Sequence, residues 1–366
     1  MLVRHIHAWD LSPREAISLQ SELASRIVRE GDLPASRVRF VAGSDVAFDR
    51  PSGRAVGAVV LLAYPSLECV ERVTVETSVT FPYVPGLLSF RETPVLIQAF
   101  EQLREMPDLL MVDGHGYAHP RRFGFASHLG LLLDLPTIGV AKSRLLGTHE
   151  SPAMARGSRV DLRDRDETIG AVVRTRERVR PIYVSVGHRI SLEVAERWVL
   201  ACAPNVRLPE PTRIADRLAG EAKRRMLDAT LDIVIEQRAG EPGRWEWVPE
   251  DDEIVFRHDM PPMPVHYGAV PGIVNPADGE LLDVMVANDG PRESAERMSV
   301  RVVDVLERRD GDDKLLAVPL DGPLTVPDSV RQRIWKWCTD LEKPVVQWGG
   351  EERALALIRA CREPSP

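Results

Sequence analysis

The sequence predicts an α/β protein: a mixed β-sheet with flanking helices, followed by a small β-barrel that ends in helices. Three extended stretches come first, and helical and extended segments then alternate, which is typical of a mixed sheet covered by helices. From Leu231 the chain changes to short strand patterns separated by turn signals, which is typical of a small barrel. This change of pattern places a boundary near residue 228 and predicts two domains, 1–228 and 229–366.

Composition limits the classes of protein that the chain can represent. Its 366 residues are 44% hydrophobic and 28% charged, as in ordinary globular proteins, and the length suggests more than one domain. No run of about 18 apolar residues occurs and the start lacks a signal core, so we expect a cytoplasmic protein without a membrane partner. Four scattered cysteines argue against disulfides and zinc. The net charge of −8 does not by itself indicate a nucleic-acid partner.

The elements of the first domain follow from local signals. The capping box Ser12-Pro13-Arg14-Glu15 starts a helix that we expect to run to about Arg29. A loop rich in proline and glycine precedes a helix that begins at Glu92, and a buried strand ends at Asp113. The predicted strands are 38–47, 54–63, 67–79, 109–113, 136–141, 168–174 and 181–187, and the predicted helices are 12–29, 92–105, 123–133, 191–202 and 210–227.

The second domain is predicted from short alternating or apolar runs bounded by turn residues. Its predicted strands are 231–236, 244–248, 253–257, 282–286, 300–306 and 314–318, and two helices, 327–341 and 350–361, end the chain.

Three acidic residues stand where a buried element is normally apolar: Asp45, Glu92 and Asp113. A half-buried carboxylate is costly unless a positive partner compensates it. Three converging carboxylates therefore predict a divalent cation, and hard oxygen ligands favour Mg²⁺ or Mn²⁺. These ions catalyse phosphoryl chemistry.

The loop before Glu92 has features of a site for a flat ligand. Its two prolines stiffen it, Gly86 permits close approach of the backbone, and Tyr83 can stack on a base or wedge between bases. The alternative is a rigid loop that packs its own tyrosine. Further along, His119 and Lys142 are candidates for holding a phosphate or protonating a leaving group.

Six segments, in this order, resemble endonuclease V: GSDVAF, FPYVPGLLSFRE, DGHGYAHPRRFGFASHLG, GVAKSRLLG, YVSVGHRISLE and LPEPTRIAD. The resemblance covers about residues 10–227. It implies a ribonuclease H-like fold and a magnesium-dependent nuclease that acts near deoxyinosine. Such an enzyme hydrolyses the second phosphodiester bond on the 3′ side of the lesion.

The same resemblance implies roles for individual residues. Its metal ligands are Asp45, Glu92, Asp113 and Asp216, and its base-recognising residues are Tyr83, Gly86, Leu88 and Gly114. His119 and Lys142 match positions near the scissile phosphate, so the implied catalytic set is Asp45, Glu92, Asp113, His119 and Lys142.

A second group of acids lies in the later part of the chain, at Asp278, Glu280 and Asp283, with Asp312 and Lys314 further on. Either acidic cluster alone is compatible with a solvated turn. Together with arginines on neighbouring strand patterns, they suggest divalent cations and a small polyanion.

Residues 230–350 resemble soluble inorganic pyrophosphatase through IVIE, RWEW, VFR, HYGAVPG, DGELLDVMV and DGDDKLLAVP. The resemblance implies an OB-like barrel with pyrophosphate as substrate. It also implies that this domain, like the first, uses Mg²⁺, for which Mn²⁺ can substitute. The implied metal ligands are Asp278, Asp283, Asp312 and Glu307, the implied substrate-binding residues are Glu236, Arg244, Arg257, Tyr267 and Lys314, and Glu280 takes the catalytic position that activates water.

This chain departs from the pyrophosphatase pattern at several positions. Glu280 and Glu307 replace aspartates, Leu281 replaces a proline, and Cys338-Thr339 replaces a Tyr-Lys pair that contacts phosphate. An extra methylene displaces a carboxylate, and catalytic geometry tolerates little displacement. The alternative is therefore a domain that binds phosphate or serves structure without catalysis.

We hypothesise a repair endonuclease for DNA containing deoxyinosine, joined to a domain that hydrolyses pyrophosphate. There are three alternatives: an inosine-specific ribonuclease acting on RNA, a lesion-binding module without cleavage, and a protein whose main activity is pyrophosphate hydrolysis. We expect any oligomerisation to involve the second domain.

Overall fold

The computed structural model describes residues 3–50, 52–287, 290–320, 322–343 and 345–362. The chain divides into two compact units, and the division falls between Lys223 and Arg224, inside a helix. No helix in these ranges combines the length and the apolar character needed to cross a bilayer.

The first unit is built around one large sheet. Its strands are β1 (Phe40–Asp49), β2 (Arg54–Ala63), β3 (Cys69–Ser78), β4 (Leu109–Asp113), β5 (Thr137–Ala141), β6 (Arg159–Asp164), β7 (Glu167–Val173) and β8 (Ile182–His188). Its helices are α1 (Pro13–Leu23), α2 (Leu88–Glu101), α3 (Phe125–Leu133), α4 (Leu192–Ala201) and α5 (Glu210–Asp228).

The eight strands lie in the order β3-β2-β1-β4-β5-β8-β7-β6. The first three form an antiparallel meander, whereas β1, β4 and β5 are parallel neighbours in the centre of the sheet. Residues in β4 alternate between two cores: Leu110 and Val112 pack with α2 and α3, whereas Leu109 and Met111 pack on the face covered by α4. A sheet buried on both faces explains why the central strands are almost entirely apolar. The mixed sheet predicted from the sequence is confirmed.

Three local predictions in this unit are corrected. Helix α1 ends at Leu23 rather than near Arg29, because Val28 bonds with the end of β8 and with the residue after it: its amide donates to His188 Nδ1 and its carbonyl accepts from the Arg189 amide. Helix α2 begins at Leu88, so Glu92 lies inside the helix rather than at its start. Strand β6 was not predicted.

The second unit contains the predicted barrel. Its strands are β9 (Thr230–Gln237), β10 (Arg244–Val248), β11 (Glu253–His258), β12 (His266–Val274), β13 (Leu281–Val286), β14 (Arg297–Arg308), β15 (Lys314–Pro319) and β16 (Val345–Trp348). Its remaining helices are α6 (Asp328–Asp340) and α7 (Gly350–Arg362).

Five strands follow one another in the order β15-β13-β12-β9-β14, and β14 pairs again with β15, which closes the barrel. The hairpin β10-β11 stands beside it, and α7 packs Leu355 and Ile358 into the barrel core. Strand β12 was not predicted, because Pro271 and Gly272 interrupt its pattern. The ladder is irregular there, between Ala269 and Val274. The four-residue strand β16 was also missed.

Candidate active sites

Parallel pairing of β1 and β4 brings two of the predicted metal ligands together. Ser44 pairs with Val112 in this ladder, so the next residues, Asp45 and Asp113, lie side by side. Helix α5 adds Asp216 from outside the sheet. One carboxylate oxygen from each of Asp45, Asp113 and Asp216 lies within 4.8 Å of the others. The fourth predicted ligand, Glu92 on α2, is buried beside this group without being part of it.

The crowding of these acids changes their titration. Burial raises the pKa of Asp45 to about 7, and the charges of Asp113 and Asp216 add to the effect. Burial, reinforced by Asp45 and Asp113, also holds the pKa of Glu92 well above its usual value. The site therefore concentrates negative charge that the protein alone does not fully compensate.

Lys142 is the cation that the chain itself places among these acids. It follows β5, and its Nζ lies 2.6 Å from Asp113 Oδ2 and 2.7 Å from Asp216 Oδ1. Burial alone would lower the pKa of Lys142, but the hydrogen bonds to these two aspartates raise it overall. The lysine is thus firmly protonated and fixed between two of the acids.

The three aspartates fit a divalent cation. Ligands on opposite sides of Mg²⁺ lie roughly 4.2 Å apart, since each bond is about 2.1 Å long, and the separations in this group are of that size. Carboxylates are the hard oxygen donors that such ions prefer. The ammonium group of Lys142 also demonstrates that a positive charge is stable at this position.

A cavity of about 220 Å³ lies next to the aspartate cluster, since Gly114, which follows Asp113, is part of its wall. Its volume is several times the roughly 30 Å³ that one water occupies in the liquid. The four residues expected to recognise a base all line it: Tyr83, Gly86, Leu88 and Gly114. Tyr83 is 69% exposed, so its ring is free to meet a ligand at the mouth of the cavity.

Gly86 is held at the cavity wall by three donors to its carbonyl oxygen. Gln20 Nε2 donates at 3.1 Å, Arg121 at 2.8 Å and His119 Nε2 at 3.1 Å. The buried Gln20 also donates to Phe123 O and accepts from Arg121 Nε at 2.5 Å. These contacts fix a residue whose φ of +80° suits glycine. We call Gln20, Arg121 and His119 the Gly86 clamp.

His119 is buried, and both its ring nitrogens are engaged. Because a carbonyl can only accept, Nε2 carries the proton that it donates to Gly86, and Nδ1 accepts from the Arg121 amide. Burial and the nearby Arg121 lower the pKa of His119 to about 4. A neutral His119 therefore orients the loop, while its contact with a phosphate stays a prediction.

His115 presents a free acceptor among the residues that line the same cavity. Its Nε2 donates to Ser143 O at 3.0 Å, which leaves Nδ1 unprotonated in the neutral ring. This buried Nδ1 has no hydrogen-bond partner in the described part of the chain. No role was predicted for Gln20, Arg121 or His115, because a glutamine in a helix and a histidine beside glycine carry no distinctive pattern.

The barrel contains a second cavity, of about 260 Å³. Six of the residues predicted for the second site line it: Arg244, Tyr267, Glu280, Asp283, Asp312 and Lys314. Lys314 Nζ bonds both Asp283 and Asp312. Arg244 lies 4.7 Å above the Tyr267 ring and pairs with Glu246 at 3.5 Å.

The other predicted residues of the second site lie outside the cavity lining. Glu236 is buried behind Arg244 at 3.4 Å, and Arg257 pairs with Glu246 at 2.6 Å. Asp278 lies near Asp312, and burial together with that neighbouring carboxylate raises the pKa of Asp278. Glu307 points away, since Gln347 and Arg353 both donate to it at 2.7 Å.

The barrel acids do not form a metal cluster of the kind seen in the first unit. Among the residues with described positions, Asp45, Asp113 and Asp216 are the only three acids whose oxygens gather within 4.8 Å. In the barrel, Lys314 separates Asp283 from Asp312. Lys314 thus holds these two carboxylates as Lys142 holds Asp113 and Asp216, but no third acid of described position joins them within the same distance.

The first unit, with its central parallel strands, its acids and its adjoining cavity, defines the class of protein as a metal-dependent nuclease with a ribonuclease H-like sheet. The sequence profile of endonuclease V matches residues 21–217. Endonuclease V of Gloeobacter violaceus is 54% identical over 213 residues, which are 57% of this chain and 86% of that protein. The chain therefore belongs to the endonuclease V family.

Solved structures agree with this assignment. Endonuclease V of Streptomyces avermitilis superimposes with a TM-score of 0.57 at 43% identity, over 59% of this chain and 95% of that one. Endonuclease V of Ciona intestinalis superimposes with a TM-score of 0.51 at 31% identity, over 58% of this chain and 97% of that one. That structure is a complex with a 24-mer DNA containing an inosine followed by a ribo-adenosine.

The second unit matches another family. The sequence profile of inorganic pyrophosphatase covers residues 233–364. Both resemblances inferred from the sequence are thus confirmed.

Proposed function

We propose that the first unit cleaves DNA that contains deoxyinosine, at the second phosphodiester bond 3′ to the lesion, with Mg²⁺ as its metal. The observation that carries the proposal is the adjacency of the aspartate cluster to a cavity lined by Tyr83, Gly86, Leu88 and Gly114. Hydrolysis next to a recognised base requires these two features together. The inosine-containing DNA bound by the Ciona relative supports the choice of substrate.

The cavity has the chemistry to distinguish hypoxanthine from adenine. Hypoxanthine carries a hydrogen on N1, whereas N1 of adenine is an acceptor. The unprotonated Nδ1 of His115 is an acceptor. It can accept a hydrogen bond from N1–H of hypoxanthine, whereas it would face another acceptor at N1 of adenine. Gly86 and Gly114 carry no side chain, which lets a base come close to the backbone there; a Cβ at Gly114 would approach Phe125 to 3.1 Å.

Each residue of the site has a role in this reaction. Asp45, Asp113 and Asp216 would hold the ion, which when bound supplies charge stabilisation at the scissile phosphate and activates water. Glu92 adds a buried carboxyl beside them. Tyr83 fills the space that an extruded base leaves in the stack. Lys142 is positioned to neutralise phosphate charge once it leaves Asp113.

Nicking of matched oligonucleotides tests the proposal. Single-inosine DNA and RNA strands, with adenosine controls, are incubated with Mg²⁺ and either wild type or Asp45→Asn. The proposal predicts DNA cleavage that leaves 3′-hydroxyl and 5′-phosphate ends, and a loss of at least about a hundredfold in the variant. Cleavage of RNA alone would support an inosine-specific ribonuclease, and binding without cleavage would support a recognition module.

A second activity, hydrolysis of inorganic pyrophosphate, is proposed for the barrel. Its cavity sets Arg244 and Lys314 against Glu280, Asp283 and Asp312, which pairs phosphate-binding cations with acids able to activate water. Phosphate release from pyrophosphate with Mg²⁺ should occur for wild type and fall at least about tenfold for Asp283→Asn. No release from wild type would make the barrel a binding or structural domain.

We also propose that the protein acts in the cytoplasm and that any self-association involves the barrel. Chemical cross-linking of the full chain, followed by peptide mapping, tests the second point: links between copies that fall only in the first unit would refute it.

A further inference from the structure

Two buried N–H groups in the barrel cavity have no acceptor in the described residues. They are Arg308 Nε and Trp337 Nε1, and both side chains line the cavity. The Arg308 side chain is only 8% exposed. Buried donors are nearly always satisfied, because an unmade hydrogen bond costs the full desolvation of the group.

A cation stands beside these donors. Lys343 lines the same cavity, and its Nζ lies 5.7 Å from the Trp337 ring centroid. It makes no ion pair with any residue of described position. Burial, with Arg308 and Lys314 nearby, lowers the pKa of Lys343. An anion in the cavity would relieve this repulsion between like charges.

Two acids of the cavity wall, Asp283 and Asp312, already have cationic partners. Arg308 Nη1 pairs with Asp312 at 2.6 Å and Nη2 pairs with Asp310 at 2.5 Å. Lys314 bonds Asp283 and the second oxygen of Asp312. Arg308 Nε and Trp337 Nε1, by contrast, have no partner among the described residues, and the Lys343 ammonium group pairs with none of the acids of described position. A small anion with several acceptor oxygens could accept hydrogen bonds from all three of these donors.

We propose that Arg308, Trp337 and Lys343 form an anion subsite that binds one phosphate of a diphosphate group. Lys343 follows α6, and its side chain lines the cavity together with Cys338, whereas Thr339 is exposed and donates to Trp335 O at 2.9 Å. The ligand class rests on the proposed pyrophosphate hydrolysis, but the subsite itself rests on the unpaired donors.

Calorimetric titration of the full chain with methylenediphosphonate, a diphosphate that resists hydrolysis, tests the subsite. Lys343→Met should weaken binding about tenfold to a hundredfold, as expected when a charge-assisted hydrogen bond is removed. Trp337→Phe removes only the indole N–H and should weaken binding about threefold. The matched control is Lys336→Met, because Lys336 is exposed on α6 and pairs with Asp340 at 2.7 Å; its affinity should match wild type.

The proposal would be overturned if Lys343→Met and Trp337→Phe both kept the affinity and the melting temperature of wild type. It would also be overturned if wild type bound no diphosphate. Parallel titrations with pyrophosphate and with a nucleoside diphosphate show which of the two molecules supplies the diphosphate group. Weaker binding of either molecule by Lys343→Met supports the subsite. Diphosphate binding without phosphate release would refute the hydrolysis proposed above and leave the subsite in place.

Discussion

Lys142 Nζ lies 2.6 Å from Asp113 Oδ2, and the same ammonium group reaches Asp216 Oδ1 at 2.7 Å. A lysine that follows β5, the strand next to β4, thus occupies the space between two carboxylates that fit a divalent ion. Without metal, this cation lowers the repulsion among the acids. With metal, it competes for the same oxygens. Lys142 therefore couples metal binding to the stability of the site.

Replacing Lys142 with methionine should have opposite effects on stability and on metal affinity. In chelator, Lys142→Met leaves Asp113 and Asp216 uncompensated, so its melting temperature should fall below that of wild type. The variant should bind Mn²⁺ more tightly, because no internal cation competes, and electron paramagnetic resonance of free Mn²⁺ measures this directly. Lys223→Met is the control, since Lys223 interacts with Asp49 instead. Weaker Mn²⁺ binding in Lys142→Met would contradict the competition.

The pKa of Asp45 predicts a pH-dependent loss of stability in the metal-free protein. Burial raises this pKa from 3.8 to about 7, so the folded state binds the proton more tightly than the unfolded state. The resulting stabilisation is complete below pH 3.8 and is lost as the pH rises through 7.

Urea unfolding of wild type and Asp45→Asn in chelator measures this effect. The asparagine variant should gain on wild type between pH 4 and pH 7, and the gain should then level off, because the neutral side chain escapes the cost of ionisation. A constant difference across the range would show that Asp45 does not titrate there. Saturating Mg²⁺ should reverse the order above neutral pH, because only wild type can bind the ion with all three aspartates.

The Gly86 clamp predicts a positioning role for Gln20. Gln20→Leu keeps the volume of the side chain but removes the donors to Gly86 O and Phe123 O and the acceptor for Arg121. Stability should fall by about 1–3 kcal/mol, and affinity for inosine-containing DNA should fall about tenfold, while Mn²⁺ binding should not change. The exposed Gln102 supplies a matched Gln→Leu control. If Gln20→Leu lost stability but discriminated between inosine and adenosine as well as wild type does, Gln20 would have only a structural role.

Tyr83 should contribute through its ring rather than its hydroxyl. Because the side chain is 69% exposed, Tyr83→Ala should leave the melting temperature near that of wild type. Its affinity for a lesion duplex should fall about tenfold to a hundredfold, the range measured for base–aromatic stacking. Tyr83→Phe should retain most of the affinity. Equal losses in both variants, measured by fluorescence anisotropy, would assign the effect to the hydroxyl.

The central sheet and its two aspartates could be predicted from the sequence for a physical reason. Apolar strands that end or break at a carboxylate carry a strong local signal, and parallel neighbours bring Asp45 and Asp113 to the same place. Asp216 carried no such signal, because an acid on an amphipathic helix is ordinary. Its assignment came from the resemblance, and the structure brings it to the cluster.

The barrel was harder to predict in detail. Glu307 is separated from the cavity because its side chain meets Gln347 and Arg353, partners that belong to an unpredicted strand and to the last helix. Arg308, one residue later, enters the cavity instead. Whether a charged residue at the end of a strand turns inward depends on tertiary neighbours, which the local pattern does not contain.

Diffraction from crystals soaked in Mn²⁺, with the anomalous signal of the ion recorded, would show whether the aspartates share an ion. We expect one anomalous peak in the first unit, about 2.0–2.2 Å from carboxylate oxygens of Asp45 and Asp113, with Lys142 Nζ moved away from Asp113. The absence of a peak there, with Lys142 still bridging Asp113 and Asp216, would contradict a shared metal site.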